Sequence, residues 1–248
     1  MKLPDLYNAK ARIAPVIAVI ALPALSVCLF VKPSLDSSWL APPIVLASLW
    51  TLVSILGRSR GKALEKKLFE KWGGSPTLQM MRYSSTAIPH EQLAAIHKYL
   101  SRECHVQVPD KKLEESKPLG SDAIYEAITA QLRDVTRDRK EFPLVFDELC
   151  NYGFVRNLYG LRHFGIALGI IAATVIGCWF TWINPSNAEP RVIAIGMNCL
   201  SSIVWLFWPT EATLRQIADS YAQKLIYAGL QLTKHNQKLV HESSILLP

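Results

Sequence analysis

The chain alternates between long apolar runs and charged segments. Four runs of about 17 to 20 residues carry almost no charge, and they cover 13–31, 39–57, 164–183 and 192–208. A helix rises about 1.5 Å per residue, so each run has roughly the length that crosses a hydrocarbon core of about 30 Å. Four core helices of this kind are not expected in one soluble domain. The pattern predicts an all-α, polytopic membrane protein with two transmembrane helical hairpins flanking a cytoplasmic helical domain.

This pattern divides the chain into four parts. Residues 1–57 are predicted to form an N-terminal transmembrane hairpin, and 58–162 a cytoplasmic helical domain. Residues 163–208 form the C-terminal transmembrane hairpin, and 209–248 a cytoplasmic amphipathic helical tail. The apolar core of the first run is longer than that of a signal peptide, and no A-x-A cleavage site follows it. The first run is therefore expected to remain as an anchor.

The distribution of Lys and Arg predicts the orientation in the membrane. Of the 27 Lys and Arg residues, 18 lie between Arg58 and Arg162, whereas the two hairpin tips contain only Lys32 and Arg191. Positively charged loops stay in the cytoplasm. We therefore expect both termini and the middle segment to be cytoplasmic in a multi-pass membrane protein.

Apolar periodicity predicts helices in the polar segments. They are a continuation of the second span to Gly73 and Gly74, a helix opened by Pro89, a helix from about 122 to 139, and a short helix from Pro143 to about Gly153. Residues 105–108 are a candidate for one short strand.

Arginine and aromatic residues precede the third apolar run. These collar residues are Tyr152, Phe154, Arg156, Tyr159 and Arg162. Aromatic rings accumulate at the headgroup level, and long cationic side chains reach lipid phosphates from there. The first interpretation is an interfacial collar. The alternative is that the two arginines bind a phosphate-bearing ligand.

The basic surplus of the chain, with a pI near 9.2, is concentrated after the second run. The juxtamembrane basic cluster consists of Arg58, Arg60, Lys62, Lys66, Lys67 and Lys71. Cations next to a span interact favourably with anionic lipid at the cytoplasmic face. A second basic patch, Arg133 to Lys140, is interspersed with aspartates. Direct nucleic-acid binding is therefore not expected.

Two helix-packing patterns predict association of helices. Small residues recur every four positions along the third run, at Gly165, Gly169, Ala173 and Gly177. Asn198 and Ser202 on the fourth run add polar contacts, and such a stripe lets helices approach closely. In the tail a bundle seam is formed by Leu214, Ala218, Tyr221, Leu225, Ala228 and Leu232. Packing within one chain and packing between chains are both consistent with the stripe, and a homo-oligomer using the stripe or the seam is expected.

Motifs for chemistry are not found in the sequence. It contains no GxxxxGK[ST], GxGxxG, HExxH or GxSxG pattern. Cys104 and His105 do not have the spacing of a zinc site, and the five cysteines fit free thiols in a reducing compartment. The runs contain no ionisable residue, which disfavours a proton-coupled carrier but leaves a pore open. We assign no catalytic, metal or cofactor residue and expect a non-enzyme.

Three segments carry a resemblance to known proteins. The sequences RGKALEKKLFEKWGGSPT (60–77), AIYEAITAQLRDVTRDRKEF (123–142) and NYGFVRNLYGLR (151–162) together resemble a group of small bacterial inner-membrane proteins. The resemblance covers about half of the chain. It implies two plus two spans around a cytoplasmic helical domain, and no catalytic residue.

These features lead to a functional hypothesis. The cytoplasmic domain is expected to bind a protein partner and to couple it to the spans. The leading version, by analogy of architecture with other small bacterial membrane proteins, is an oligomeric, membrane-perturbing effector or sensor of antiphage defence. The first alternative is a scaffold that recruits a cytoplasmic enzyme or a nucleic-acid-binding partner. The second is a membrane-embedded enzyme or a binder of a phosphate-bearing ligand.

Overall fold

The described part of the chain is helical and contains no β-strand. The computed structural model describes residues 6–30, 41–103, 106–182 and 188–245, and within these ranges it leaves out the side chains of 28–30, 41–54, 103, 180, 188–190 and 233–245. The helices are α1 (Ala14–Phe30), α2 (Ala41–Trp72), α3 (Pro76–Met81), α4 (His90–Glu103), α5 (Lys111–Ser116), α6 (Pro118–Val135), α7 (Pro143–Trp182), α8 (Ala188–Phe207) and α9 (Glu211–Ile245). A π-helical segment, Asn8–Ile13, leads into α1. The predicted all-α class is confirmed for these residues.

The end of α2 follows the prediction from its glycines. Gly73 and Gly74 have φ angles of 79° and 128°. Residues with a Cβ rarely adopt this region of the backbone map. The amide of Gly74 donates to Phe69 O at 2.8 Å and thereby closes the last turn. Ser75 then caps α3, because its Oγ accepts a hydrogen bond from the amide of Leu78 at 3.3 Å.

Two other boundaries differ from the prediction. The helix expected over about 122 to 139 is α6, which begins at Pro118, a residue suited to the first helical turn. The short helix expected to end near Gly153 instead continues as α7 to Trp182. Gly153 is a packing position, since a Cβ there would lie 2.7 Å from Ala11 Cβ. The strand predicted over 105–108 is absent at 106–108, and His105 lies outside the described residues.

The helices form two compact units. The first comprises Met1–Lys67 and Cys150–Arg215, and the second Leu68–Leu149 and Gln216–Pro248. The core of the first unit includes Val16, Val19, Ile20, Leu158, Leu161 and Trp205. The core of the second unit includes Leu78, Met81, Leu93, Ile96, Leu100, Tyr125, Ile128, Leu132, Leu225 and Ile226. The sequence-based boundaries at 58 and 162 both fall inside the first unit.

Two described segments are long and apolar enough to cross a membrane. They are Asn8–Val27 and Pro143–Trp179, each with a mean hydropathy of 1.7. The number rises to three if Arg191–Phe207 and Glu211–Leu232, which a short break separates, form one span. The predicted spans over 13–31 and 164–183 correspond to the first two segments. The predicted span over 39–57 falls mostly on residues whose backbone or side chains lie outside those described.

Candidate functional site

The helices α2 and α7 approach each other closely in the first unit. A Cβ added to Gly160 on α7 would lie 3.0 Å from the backbone nitrogen of Gly61 on α2. One turn earlier on α2, a Cβ on Gly57 would lie 2.9 Å from Leu161 Cδ1. Gly57 and Gly61 thus form a GxxxG contact, which permits two helix backbones to pack without intervening side chains.

Glu65 lies one turn beyond this contact and accepts hydrogen bonds from two residues of α7. The hydroxyl of Tyr152 donates to Glu65 Oε1 at 2.6 Å. Arg156 Nη1 lies 3.1 Å from Oε1 and 3.0 Å from Oε2 of the same carboxylate. The side chains of Arg156 and Glu65 are only 12% and 23% exposed to solvent. We refer to Glu65, Tyr152 and Arg156 as the Glu65 clamp.

Asn157 extends this contact to a third helical segment. Its Nδ2 donates to the carbonyl of Ala11 at 2.7 Å, and its side chain is 3% exposed. Asn157 Oδ1 has no hydrogen-bond partner among the described residues and lies against Gly61, where an added Cβ would overlap it. A carbonyl oxygen in this position is compatible with a weak Cα–H···O contact. α7 therefore packs against both α2 and the segment before α1.

The collar residues make different contacts within the chain. The guanidinium of Arg156 is largely buried and pairs with Glu65, because a buried cation requires a carboxylate partner. Phe154 packs against the core of the first unit. Arg162 is half-buried, with its Cζ 5.1 Å from the centroid of the Tyr159 ring. The interfacial collar therefore stays a prediction from the sequence, and the structure adds the ion pair of Arg156 with Glu65.

The small-residue stripe packs within the chain. A Cβ on Gly165 would lie 2.6 Å from Trp205 Cγ, and one on Gly169 would overlap Ser202 Oγ and lie 2.9 Å from Asn198 O. Ala173 is half-buried, and a Cβ on Gly177 would meet Ile195 at an ordinary 3.8 Å. The stripe is therefore the contact of α7 with α8, which was one of the two open interpretations.

Polar groups connect α8 to α1 and α7. Asn198 is fully buried, and its Nδ2 lies 2.8 Å from Ser26 Oγ and 2.9 Å from Ala194 O. Ser202 Oγ lies 3.3 Å from Ile166 O and 3.0 Å from Asn198 O. The sequence indicated Asn198 and Ser202 but not Ser26, whose partner is 172 residues away.

The tail seam is also used inside the chain. Leu214, Ala218, Leu225 and Ala228 are buried, and Tyr221 and Leu232 are half-buried. Leu225 and Ala228 belong to the core of the second unit. Residues of the stripe and of the seam thus make contacts within the chain, and a homo-oligomer stays a prediction from the sequence.

The second unit contains a polar cluster that the sequence did not indicate. Glu114 accepts a hydrogen bond from the Tyr125 hydroxyl at 2.7 Å and from the amide of Tyr83 at 3.2 Å. Burial and the adjacent carboxylate raise the pKa of Tyr125, which therefore remains a hydrogen-bond donor. Close by, Arg82 makes a bidentate pair with Asp122, with distances of 2.9 and 2.7 Å.

His97 lies between the two tyrosines of this cluster. Its ring is 4.9 Å from that of Tyr83 in an edge-on arrangement and 5.6 Å from that of Tyr125 in a stacked arrangement. Nε2 lies 2.8 Å from Met81 O and therefore carries the hydrogen, while the buried Nδ1 has no partner among the described residues. Burial lowers the pKa of His97. The arrangement holds a neutral imidazole.

The juxtamembrane basic cluster is exposed along α2. All six of its cations, Arg58, Arg60, Lys62, Lys66, Lys67 and Lys71, have exposed side chains. Arg60 Cζ lies 4.7 Å from the centroid of the Phe164 ring.

The described residues include no group of three or more His, Cys, Asp or Glu side chains that could hold a metal ion. Cys104 and His105 lie outside the described residues. Comparison with protein-family models, with curated proteins and with solved structures finds no match for this chain.

Proposed function

We propose that this chain is a non-enzymatic, four-span protein of the bacterial inner membrane that couples the binding of a cytoplasmic partner to its spans. Both termini and the second unit are cytoplasmic in this proposal. The support for a membrane location is the pair of apolar helical segments, Asn8–Val27 and Pro143–Trp179. The distribution of Lys and Arg supports the orientation.

The single observation that carries the coupling is the position of the Glu65 clamp along the chain. The chain passes between the units inside helices, after Lys67 in α2, after Leu149 in α7 and after Arg215 in α9. Glu65 and Tyr152 each lie within three residues of such a passage. A movement that starts in the second unit and follows α2 or α7 therefore reaches the clamp first.

The chemistry of the clamp suits a switchable contact. An ion pair withdrawn from water gains little net stability, because desolvation offsets most of its attraction. The pair is nevertheless specific, since a buried charge that has lost its partner destabilises the protein. Packed helices with such contacts move between discrete arrangements and do not deform gradually. We infer that a partner bound to the second unit shifts the balance between an engaged and a released clamp.

Hydrogen exchange of the full-length protein in nanodiscs tests this coupling. Leu132 is 2% exposed in the core of the second unit, so Leu132→Ala loosens that unit. Leu119→Ala is the matched control, because Leu119 lies on the same helix and is 85% exposed. We expect exchange in 57–67 and 150–162 to rise for Leu132→Ala and to stay unchanged for Leu119→Ala. Unchanged exchange in both variants would contradict the coupling and favour the scaffold.

Three other versions of the function come from the sequence. An oligomeric effector of antiphage defence that perturbs the membrane stays a prediction from the sequence. A scaffold that recruits an enzyme or a nucleic-acid-binding protein requires no coupling. A phosphate-bearing ligand is less well supported, because the guanidinium of Arg156 already holds Glu65.

A further inference from the structure

The outer surface of α2 carries a dense group of cations directly after the second apolar run. Arg58, Arg60, Lys62, Lys66 and Lys67 all lie within ten residues and have exposed side chains. Among the described residues, none of these five makes an ion pair with a carboxylate. These five positive charges are therefore not neutralised by an ion pair in the described part of the chain.

The structure explains why the single carboxylate of this stretch leaves the charge intact. Glu65 lies among the cations in sequence, four residues after Gly61, on the face of α2 that packs against α7. There it is engaged by Arg156 at 3.0 Å and by Tyr152 at 2.6 Å. The clamp thus engages Glu65, which would otherwise partly neutralise Lys62, three residues earlier on the same helix.

The cations also lie beside apolar surface. Ile55, three residues before Arg58, is 63% exposed. Arg60 extends over the ring of Phe164, at the start of the apolar part of α7. Exposed apolar side chains that end at a ring of Lys and Arg are typical of the level where hydrocarbon meets headgroups.

We propose that this surface, Arg58 to Lys67 of α2, binds the phosphate headgroups of anionic lipids in the cytoplasmic leaflet. The proposal rests on the membrane location in the proposed function. Groups of four to eight cations next to a span attract anionic lipid, with about 1 kcal/mol per residue near the surface. That energy corresponds to a factor of about five in the binding constant for each cation. Lipid is favoured over nucleic acid because the cations adjoin the exposed apolar side chain of Ile55, whereas the ring of Phe164 is half-buried beside Arg60 and is not a free stacking face for bases.

The experiment measures lipid retention by native mass spectrometry of the full-length protein. The protein is equilibrated in detergent with phosphatidylcholine alone or mixed with phosphatidylglycerol. We expect wild type to retain phosphatidylglycerol preferentially. The double variant Lys62→Gln/Lys66→Gln should bind it about 25-fold more weakly, from two factors of about five. The charge-conserving variant Lys62→Arg/Lys66→Arg should bind like wild type and shows that the loss follows charge.

A matched control separates this surface from net charge. Lys98 and Lys224 are exposed lysines of the second unit, so Lys98→Gln/Lys224→Gln changes the net charge equally. We expect the control to retain phosphatidylglycerol like wild type. An equal loss in both double variants, or no loss in the first, would overturn the proposal. Loss of binding to a single-stranded oligonucleotide, with lipid retention unchanged, would overturn it in favour of nucleic acid.

A different result is expected if the protein is not embedded in the membrane. Alkaline carbonate washing of cell membranes would then release the wild-type protein. If the protein resists the wash but shows no preference for phosphatidylglycerol, the membrane location stands and only the lipid surface is wrong.

Discussion

Arg156 holds both oxygens of Glu65 with a single nitrogen, at 3.1 and 3.0 Å, across 91 residues of sequence. The pair joins α7 to α2, and Tyr152 adds a third hydrogen bond to the same carboxylate. Because both side chains are largely buried, each residue is the main compensation for the charge of the other. The relationship therefore has measurable consequences for stability.

A double-mutant cycle tests the pair. Glu65→Ala and Arg156→Ala each leave one charge without its partner, and each should lower the free energy of unfolding by about 3 kcal/mol. The double variant should lose less than the sum of the two, because no isolated charge remains. Denaturant unfolding in detergent, followed by tryptophan fluorescence, provides the measurement. Additive losses would show that the two residues do not interact.

The helices of the first unit were predictable, whereas this pair was not. Local patterns, such as an apolar run or Gly73 with Gly74, determine where a helix begins and ends. The sequence analysis did not indicate Glu65, because no local pattern shows that α7 covers that face of α2. The spacing of Gly57 and Gly61 was the available signal, since a GxxxG pair predicts that another helix comes close. It would have placed Glu65, one turn later, in the same contact.

Polar contacts between residues far apart along the chain could not be predicted from the sequence. Asn157 meets Ala11 across 146 residues, and Asn198 meets Ser26 across 172. These pairs depend on which helices are neighbours, a property that periodicity along one helix does not contain. The stripe from Gly165 was found for the opposite reason, because close packing requires small residues at fixed spacing on one helix. Only the structure shows that its partner is α8 of the same chain.

The close contact at Gly61 predicts sensitivity to a single methyl group. Gly61→Ala places a Cβ onto Asn157 Oδ1 and should destabilise the first unit by about 1–3 kcal/mol through overpacking. Gly196→Ala on α8 is the control, because no atom lies within 4 Å of its added Cβ. That change should be neutral or stabilise by up to about 1 kcal/mol through helix propensity. Thermal unfolding in one detergent compares both variants, and equal effects would argue against the α2–α7 contact.

His97 predicts that the second unit loses stability in mild acid. Groups that face its ring are Met81 O on α3, Tyr83, Glu114 on α5 and Tyr125 on α6. Burial outweighs the attraction of Glu114 and lowers the pKa of His97 from its ordinary value of 6.5. Below about pH 6.5 the unfolded chain therefore binds a proton that the folded chain does not. The free energy of unfolding should fall with decreasing pH by up to about 1.4 kcal/mol per pH unit.

The variant His97→Gln removes this titration. Its amide can still donate to Met81 O, and below about pH 6.5 its stability should depend less on pH than that of wild type. Hydrogen exchange of peptides from α4 and α6, measured at several pH values, gives the slope. The same slope in wild type and variant would assign the acid sensitivity to other groups.

Topology follows from the distribution of Lys and Arg. Reporter fusions at Ser37 and Asn187, in the two predicted hairpin tips, should be periplasmic. Fusions at Ser116 or after Pro248 should be cytoplasmic. Both tip positions lie outside the described residues, so the reporters test the four-span arrangement independently. A cytoplasmic signal at either tip would reduce the number of spans.

The last prediction separates packing within the chain from packing between chains. Gly169→Leu introduces a branched side chain where a Cβ alone meets Ser202 Oγ and lies 2.9 Å from Asn198 O. Since the obstacle is α8 of the same chain, the variant should unfold the first unit at a lower temperature whatever the oligomeric state. Gly177→Ala is the matched control on the same stripe, because its nearest contact is an ordinary 3.8 Å. Light scattering and thermal unfolding in nanodiscs should show a lower transition for Gly169→Leu and a wild-type transition for Gly177→Ala. A Gly169→Leu protein with wild-type stability but fewer subunits would instead place the stripe between chains.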